Sequence, residues 1–131
     1  MCSHVIHAVV KPWQGGHHNE DDLLYTAVTK ALESAAARNM SIVAVAGVDW
    51  NFPANVACQN VLDAVAEFQT KPYHFREILL VDGRDQLVNH FHENLVRHFG
   101  KNVKMVSEQP GELPLATANT ATTCTCLFCL L

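Results

Sequence analysis

An apolar strand lies almost at the beginning of this sequence. The run Val5-Ile6-His7-Ala8-Val9-Val10 has the nearly continuous apolar character of a parallel strand that is buried on both faces. Such a strand needs a neighbouring strand on each side and helices above and below it. The residues before Val5 are too few to supply any of these. We therefore expect the sequence to begin in the middle of a fold.

Two further apolar runs and three helical patterns follow in alternation. The predicted strands cover residues 5–10, 41–46 and 78–81. The predicted helices run from Asn19 to about Arg38, from about Pro53 to Phe68, and from about Arg84 to Phe99. Alternation of this kind predicts parallel strands joined by right-handed crossovers, and therefore an α/β layered sheet.

The first helix carries signals at both ends. Asn19 is a suitable N-cap, because its side-chain oxygen can accept a hydrogen bond from the first turn. Glu20, Asp21 and Asp22 lie in that turn, where the positive end of the helix dipole favours acidic side chains. Asn39 is suited to the left-handed conformation that ends many helices. We therefore expect this helix to end just before Asn39.

The regular pattern ends after residue 106. Residues 101–106 are a candidate short edge strand, and from Ser107 onward the sequence is rich in Pro, Gly, Ala and Thr before a Thr/Cys/Leu-rich ending. We predict a partial domain at residues 4–106 and a disordered tail at residues 107–131.

The composition excludes several classes of function. With 131 residues, 49% of them apolar and 17% charged, the chain resembles one globular domain. Its net charge of −4, with Lys and Arg scattered, argues against nucleic-acid binding. No apolar run approaches the ~20 residues of a membrane span and no signal peptide is visible, so we expect no membrane association and a location in the cytoplasm or nucleus. The five Cys, an odd number, favour free thiols.

No pattern for a metal site or for covalent catalysis is convincing. His90, His92 and His98 lie on one predicted helix, but their spacing does not place them on one face, so a solvated surface is the better interpretation. The closely spaced Cys residues of the tail lack the fourth ligand of a zinc site. No Ser is spaced with a His and an acid as a catalytic triad requires. We therefore predict no metal, no cofactor and no catalytic residue.

The best candidate for a ligand site is the loop after the second strand. In parallel α/β sheets, ligands bind where strands end and helix N-termini begin. Gly47 permits close backbone approach and Pro53 starts the next helix, so this loop can donate N–H hydrogen bonds to a phosphate. The alternative is an ordinary turn in which Trp50 and Phe52 pack inward, and Asp49 favours it because its charge repels phosphate. The predicted ligand-binding residues are Ala46, Gly47, Val48, Asp49, Trp50 and Asn51.

The motifs around this loop resemble those of a known family. Residues 5–9 (VIHAV), 13–16 (WQGG) and 19–24 (NEDDLL) resemble the second half of a macro domain, a module that binds ADP-ribose. The similarity continues through Ser41-Ile42 and Phe52-Pro53 to the strand that ends at Val81-Asp82, and it covers residues 4–99. These motifs most resemble those of macro modules in multi-domain ADP-ribosyltransferases of the poly(ADP-ribose) polymerase family.

The resemblance implies a truncated three-layer α/β/α sandwich with about three mostly parallel strands and three main helices. It also implies ADP-ribose or an ADP-ribosylated protein as the binding partner. The family's adenine-contacting Asp and first Gly-rich loop lie in an N-terminal half that has no counterpart here, and its second loop is altered. We therefore expect a degenerate, non-catalytic module, not an enzyme, that binds ADP-ribose weakly at most. The alternative is a protein-interaction or structural fragment without nucleotide affinity.

The missing half also affects the predicted sheet. In the family, a strand from that half lies between the strands that correspond to residues 5–10 and 41–46. We expect either a gap at that position or direct pairing of the two strands. Both arrangements expose or strain apolar surface, so we expect the chain either to aggregate or to associate with a partner through an exposed strand edge.

Overall fold

The computed structural model describes residues 3–46, 51–100 and 126–130, and it confirms the predicted α/β class. The strands are β1 (His4–Ala8), β2 (Ile42–Ala46), β3 (Glu77–Val81) and β4 (Cys126–Leu130). The helices are α1 (Glu20–Ala37), α2 (Ala54–Phe68) and α3 (Asp85–Phe99). The strands form one parallel sheet in the order β1-β4-β2-β3. None of the described helices is long and apolar enough to span a membrane.

Strand β4 is the main departure from the sequence prediction. Cys126–Leu130 belong to the segment predicted to be disordered, yet they form a strand between β1 and β2. Phe128 pairs with Ile6 on one side and with Val45 on the other. The position where the resemblance implies a missing strand is therefore filled, with neither a gap nor direct pairing of β1 with β2. The physical reason is that one extended apolar segment satisfies the backbone hydrogen-bonding groups of both neighbours. The predicted strand at residues 101–106 and the predicted domain boundary lie outside the described residues.

Strand β1 lies at the edge of the sheet rather than in its interior. Among the described residues its strand neighbour is β4 alone, whereas the sequence predicts a neighbour on each side. Val5 is 51% exposed and Val9, just beyond the strand, is 83% exposed, whereas Ile6, Ala8 and Val10 pack in or against the core. Because successive side chains of a strand point to opposite faces, one face of β1 meets the helices and the other does not.

The helices pack side by side, with α1 against α2 and α2 against α3. Alternate residues of the strands face them. Val43 and Val45 of β2 belong to the buried core, and Ile78 and Leu80 of β3 pack against it. The helices contribute several almost completely buried side chains, namely Leu24, Val28, Leu32, Val61 and Leu62. Burial of each such Leu or Val side chain stabilises the fold by about 1.5–3 kcal/mol.

The ends of α1 follow the prediction in part. Asn39 is left-handed, with φ of 55°, as predicted for the residue after this helix. Asn19 occupies the N-cap position, as predicted, but its backbone is also left-handed, with φ of 56°, and its side chain makes no capping hydrogen bond. A left-handed backbone at Asn19 turns the chain sharply into the helix, and the neighbouring Glu20 is buried there.

Candidate functional site

The carboxyl ends of the parallel strands meet at one edge of the sheet, called here the carboxyl edge. Across the sheet, β1, β4, β2 and β3 end there at Ala8, Leu130, Ala46 and Val81. Each of the three helices follows a strand, so the helix N-termini lie at the same edge. Two connections start from strands at this edge: residues 9–19, called the first loop, and the connection from β2 to α2, called the second loop, of which residues 51–53 are described. Parallel α/β sheets bind their ligands at this edge.

Glu20 organises the first loop from the start of α1. Its side chain is only 1% exposed. Its two carboxylate oxygens accept hydrogen bonds from the backbone N–H groups of Gln14 and His18, both 2.9 Å long. Burial raises the pKa of Glu20, but the backbone hydrogen bonds and the nearby His18 together outweigh burial, so the net pKa lies below its usual value. Glu20 therefore ties both sides of the Gly15-Gly16 turn to the helix.

The two glycines allow the first loop to fold against Trp13. Gly15 and Gly16 have φ of 88° and 81°, a region that residues with side chains rarely adopt. A Cβ atom at Gly16 would lie 2.9 Å from Cη2 of the Trp13 ring. Trp13 also contacts Phe52, with 5.3 Å between the ring centroids, a favourable separation for an aromatic pair. Trp13 thus links the first loop to the second.

The predicted ligand-binding residues are described only at the two ends of their segment. Ala46 ends β2 and is partly buried, and Asn51 is exposed, with a left-handed φ of 57°. Gly47, Val48, Asp49 and Trp50 lie outside the described residues, so their part in ligand binding stays a prediction. Phe52 is buried and packs inward, as the alternative interpretation of this loop expects of it.

The three helix N-termini at the carboxyl edge differ in charge. The first turn of α1 contains three acidic residues and that of α3 contains Asp85, whereas that of α2 contains none. The N-cap position of α2 is Pro53, which makes no side-chain capping bond. Backbone N–H groups in a first helical turn lack intrahelical acceptors and carry partial positive charge. The N-terminus of α2 is therefore the best suited of the three to an anionic group.

At the end of β3, Asp82 is engaged by Arg84. One carboxylate oxygen accepts hydrogen bonds from the backbone N–H and the Nε–H of Arg84, both 2.9 Å long, and the other accepts one of 3.0 Å from Nη2. Burial raises the pKa of Asp82, but the hydrogen bonds and charge of Arg84 together outweigh burial. The net pKa therefore lies below its usual value. The pair closes the turn into α3.

Other chemically active side chains form no site in the described part of the chain. Residues 3–46, 51–100 and 126–130 contain no group of three or more His, Cys, Asp or Glu that could hold a metal ion. Cys58 of α2 is a buried free thiol. Its burial raises its pKa to about 11, although Asn94 donates a hydrogen bond to it at 3.7 Å. A thiol with that pKa stays protonated at neutral pH and is a poor nucleophile.

Sequence reasoning missed the roles of Glu20 and Trp13. The sequence interpretation placed Glu20 among the acids that the helix dipole favours, and it placed Trp13 in an irregular loop. The available signal is the Gly15-Gly16 pair between these two residues, because adjacent glycines let a backbone fold closely onto both side chains. The contact between Trp13 and Phe52 joins residues far apart in sequence, and no local pattern predicts it.

Comparison with known proteins gives partial matches. No protein-family profile matches the chain. A macro domain-containing protein of Caldanaerobacter subterraneus subsp. tengcongensis is 35% identical over 70 residues, which are 51% of this chain and 40% of the relative. An O-acetyl-ADP-ribose deacetylase of Escherichia coli (strain K12) is 33% identical over 70 residues, with the same shares of 51% and 40%. An O-acetyl-ADP-ribose deacetylase of Cronobacter turicensis is 30% identical over 80 residues, 59% of this chain and 46% of the relative.

These matches correct one expectation and support another. The prediction that the chain is not an enzyme is contradicted, because relatives that match half of it carry the name of an enzyme. The matched region spans less than half of the length of these relatives. Together with the parallel α/β sheet, the similarity over half of this chain supports a macro domain.

Proposed function

We propose that this chain is a macro-type module that binds ADP-ribose, or a group that contains it, at the carboxyl edge. The observation that carries the proposal is the similarity to macro domain proteins and ADP-ribose enzymes over half of the chain. The charge pattern at the carboxyl edge agrees with it, because α2 presents a first turn without acidic residues where a diphosphate would need positive potential.

In this proposal the diphosphate lies between the second loop and the first turn of α2. Backbone N–H groups of Ala46, Gly47, Val48, Asp49, Trp50 and Asn51 and of the first helical turn donate to its oxygens. The first loop, held by Glu20 and Trp13, forms the neighbouring wall. The likeness of residues 5–24 to macro modules of multi-domain ADP-ribosyltransferases supports an ADP-ribosylated protein as one form of the ligand.

A second candidate function is hydrolysis of O-acetyl-ADP-ribose. The names of the relatives favour it. In that reaction water adds to the carbonyl carbon of the acetyl ester, and acetate and ADP-ribose are released. Acetate release from O-acetyl-ADP-ribose, measured beside binding, separates an active module from one that binds alone.

Asn55 provides a sharp test of the proposed diphosphate position. It is an exposed residue in the first turn of α2. Asn55→Glu adds a negative charge there. This charge stabilises the helix by about 0.3–1 kcal/mol through its interaction with the helix dipole, but it repels a diphosphate. We expect it to weaken ADP-ribose binding about three- to tenfold in calorimetry without lowering the melting temperature. Asn55→Gln, the matched neutral control, should bind like the unmodified chain.

Each outcome of this titration decides something. A folded, unmodified chain that gives no binding heat would support the fragment without nucleotide affinity and reject the proposal. If Asn55→Glu and Asn55→Gln weakened ADP-ribose binding equally, the diphosphate would not bind at the N-terminus of α2. Acetate release that slows with Asn55→Glu but not with Asn55→Gln would establish hydrolysis at the same site.

A further inference from the structure

Strand β4 occupies a groove whose two walls are held in place by other parts of the chain. Strands β1 and β2 lie on either side of it, and each is parallel to it. α1 connects β1 to β2, packs on β1 and contacts α2. Ala8 belongs to the same buried core as Val43 and Val45, so the helix side of the sheet connects both walls. We call the space between them the β1–β2 groove.

The walls of this groove present backbone groups rather than specific side chains. Two strand walls with one strand between them lie about 10 Å apart, because neighbouring strands are spaced by about 4.8 Å. Their inward N–H and C=O groups require partners, since unpaired backbone groups away from water are costly. An extended segment that runs parallel supplies these partners whichever molecule it comes from, as in other cases of strand addition.

The occupant is joined to the rest of the chain by a long connection. α3 ends at Phe99 and β4 begins at Cys126, and residues 100–125 lie between them. Fully extended, such a connection reaches roughly 80 Å. A globular chain of this length has a radius of gyration of about 14 Å, so the segment can reach a neighbouring molecule. An element on a long connection is suited to exchange between identical chains.

We propose that the β1–β2 groove is a strand-exchange site, in which Cys126–Leu130 of a second copy of this chain binds in place of the chain's own β4. The second copy is the occupant that the structure favours, because the register shows that this segment fits: His4 pairs with Cys126, and Ala46 with Cys129. The exchanged strand keeps the same parallel register. The proposal is independent of any ligand at the carboxyl edge.

Mass action sets the condition for exchange. The chain's own segment acts at an effective concentration on the order of millimolar, so it prevails in dilute solution. Exchange should therefore appear when the chain's own strand is disabled or when the protein concentration approaches that value. This relation provides two independent experiments.

The first experiment disables the chain's own strand. Phe128→Pro in the full chain removes a backbone donor from the middle of a central strand, where proline is not tolerated. A labelled peptide of residues 121–131 is then titrated under reducing conditions. We expect saturable 1:1 binding to Phe128→Pro and at least about tenfold weaker binding to the unmodified chain, whose own segment competes. Thr122→Pro, which lies before β4, is the matched control and should behave like the unmodified chain.

Hydrogen exchange on β1 provides a second reading of the same samples. Amide protection of His4–Ala8 should be lost in Phe128→Pro and restored by the peptide, because β4 is the strand neighbour of β1. A peptide of the same composition in scrambled order should not restore it. Equal binding of the scrambled peptide, or no binding to a Phe128→Pro chain whose helices remain protected, would overturn the proposal.

The second experiment traps the exchange and does not depend on a proline variant. His7 pairs with Cys129 in the register of β1 and β4, so His7→Cys places two cysteines at paired backbone positions, a separation that a disulfide can span. Oxidation at about 10 µM should link residues 7 and 129 within one chain, and oxidation near about 1 mM should link them between two chains. Peptide mass spectrometry of monomer and dimer bands identifies the link. A 7–129 link that stays within one chain at both concentrations would contradict exchange.

Discussion

Glu20 lies where the chain leaves the first loop and enters α1, and its carboxylate has two effects. As an acid in the first turn it interacts favourably with the helix dipole. As a buried acceptor it pairs the backbone N–H groups of Gln14 and His18, which would otherwise lose their partners. One side chain therefore determines the path of the loop that borders the candidate site.

We expect Glu20→Gln to reduce the dependence of stability on acid pH. The pKa of Glu20 in the folded chain lies below its usual 4.5. Its contribution is therefore complete above about pH 4.5 and is lost as the pH falls through the folded pKa. Glutamine has one acceptor oxygen and no charge, so the variant should be less stable at pH 7 and vary less between about pH 5 and pH 3. Urea unfolding across this range measures both effects.

Asp21→Asn is the matched control, because it removes a first-turn charge from an exposed side chain. Asp21→Asn should leave the change in stability between about pH 5 and pH 3 nearly the same as in the unmodified chain. Identical pH profiles for Glu20→Gln and the unmodified chain would show that the loop hydrogen bonds do not depend on the carboxylate.

Gly16 permits a local conformation that an alanine cannot adopt without strain. Its φ is 81°, and an added Cβ would meet the Trp13 ring at 2.9 Å. We expect Gly16→Ala to lower the free energy of unfolding by about 1–2 kcal/mol. Gly83→Ala is the control, because nothing lies within 4 Å of its added Cβ, and it should change stability by less than about 0.5 kcal/mol. Thermal unfolding compares the two, and equal losses would contradict the close contact with Trp13.

Cys58 should be unreactive in the folded protein. Burial raises the pKa of its thiol to about 11, so at pH 8 almost none is present as the reactive thiolate. Because the pKa is raised, the protonated thiol favours the fold below about pH 9, and this contribution is lost as the pH rises toward 11. Iodoacetamide labelling at pH 8 with peptide mapping should modify Cys58 in urea and not in native buffer. Rapid native labelling would contradict its burial.

At the scale of elements, the pairing of α1 with α2 determines much of the stability. Lys71, which follows α2, contacts Glu33 of α1 at 2.7 Å, but the larger contribution is the apolar side chains buried between the helices and the sheet. The periodicity of these side chains predicted all three helices to within a few residues. Helix interiors are predictable because the apolar face repeats every three or four residues within one segment.

Leu32 and Leu23 test this contribution within one helix. Leu32 of α1 is fully buried, whereas Leu23 is 41% exposed. We expect Leu32→Ala to lower the free energy of unfolding by about 2–5 kcal/mol, since it removes apolar contacts and leaves a cavity. Leu23→Ala should lower it by less than about 1 kcal/mol. Urea denaturation measures both, and similar losses would contradict the assignment of the buried face.

Strand positions were less predictable than strand existence. Residues 42–46 and 77–81 form strands close to the predicted ones, but β1 ends at Ala8 and lies at an edge. Its apolar run predicts burial on both faces, and the structure buries one. An apolar sequence limits what a strand can tolerate, but the number of neighbours depends on which other segments pair with it.

At the scale of the whole molecule, β4 fills the position between β1 and β2 at which the family resemblance implies a missing strand. The sequence from Ser107 onward lacks the alternation that marks the rest of the fold, which led to the prediction of disorder. Cys126–Leu130 nevertheless complete the sheet between β1 and β2. Consequently the described sheet is continuous from β1 to β3, and the fold is not a sheet with an open central gap.

The sequence predicted the edge of the sheet at which the candidate site lies, but it did not predict the side-chain contacts that shape the site. The carboxyl edge follows from strand–helix alternation, because parallel strands place every following helix N-terminus on the same side. The buried Glu20 accepts hydrogen bonds from backbone N–H groups of the loop before it, and Trp13 contacts Phe52 across two loops. No local pattern predicts the contact between Trp13 and Phe52, because these residues lie far apart in the sequence.

By itself, the amino-acid sequence determined the α/β class, the alternation of elements and the edge of the sheet where strand ends and helix N-termini meet. These features follow from apolar periodicity within single segments. Only the tertiary structure decided that β4 enters the centre of the sheet, that β1 lies at its edge and that Glu20 orders the first loop. Strand pairing and loop closure use backbone N–H and C=O groups, which almost every residue carries, so the partners are selected by the three-dimensional arrangement of the chain.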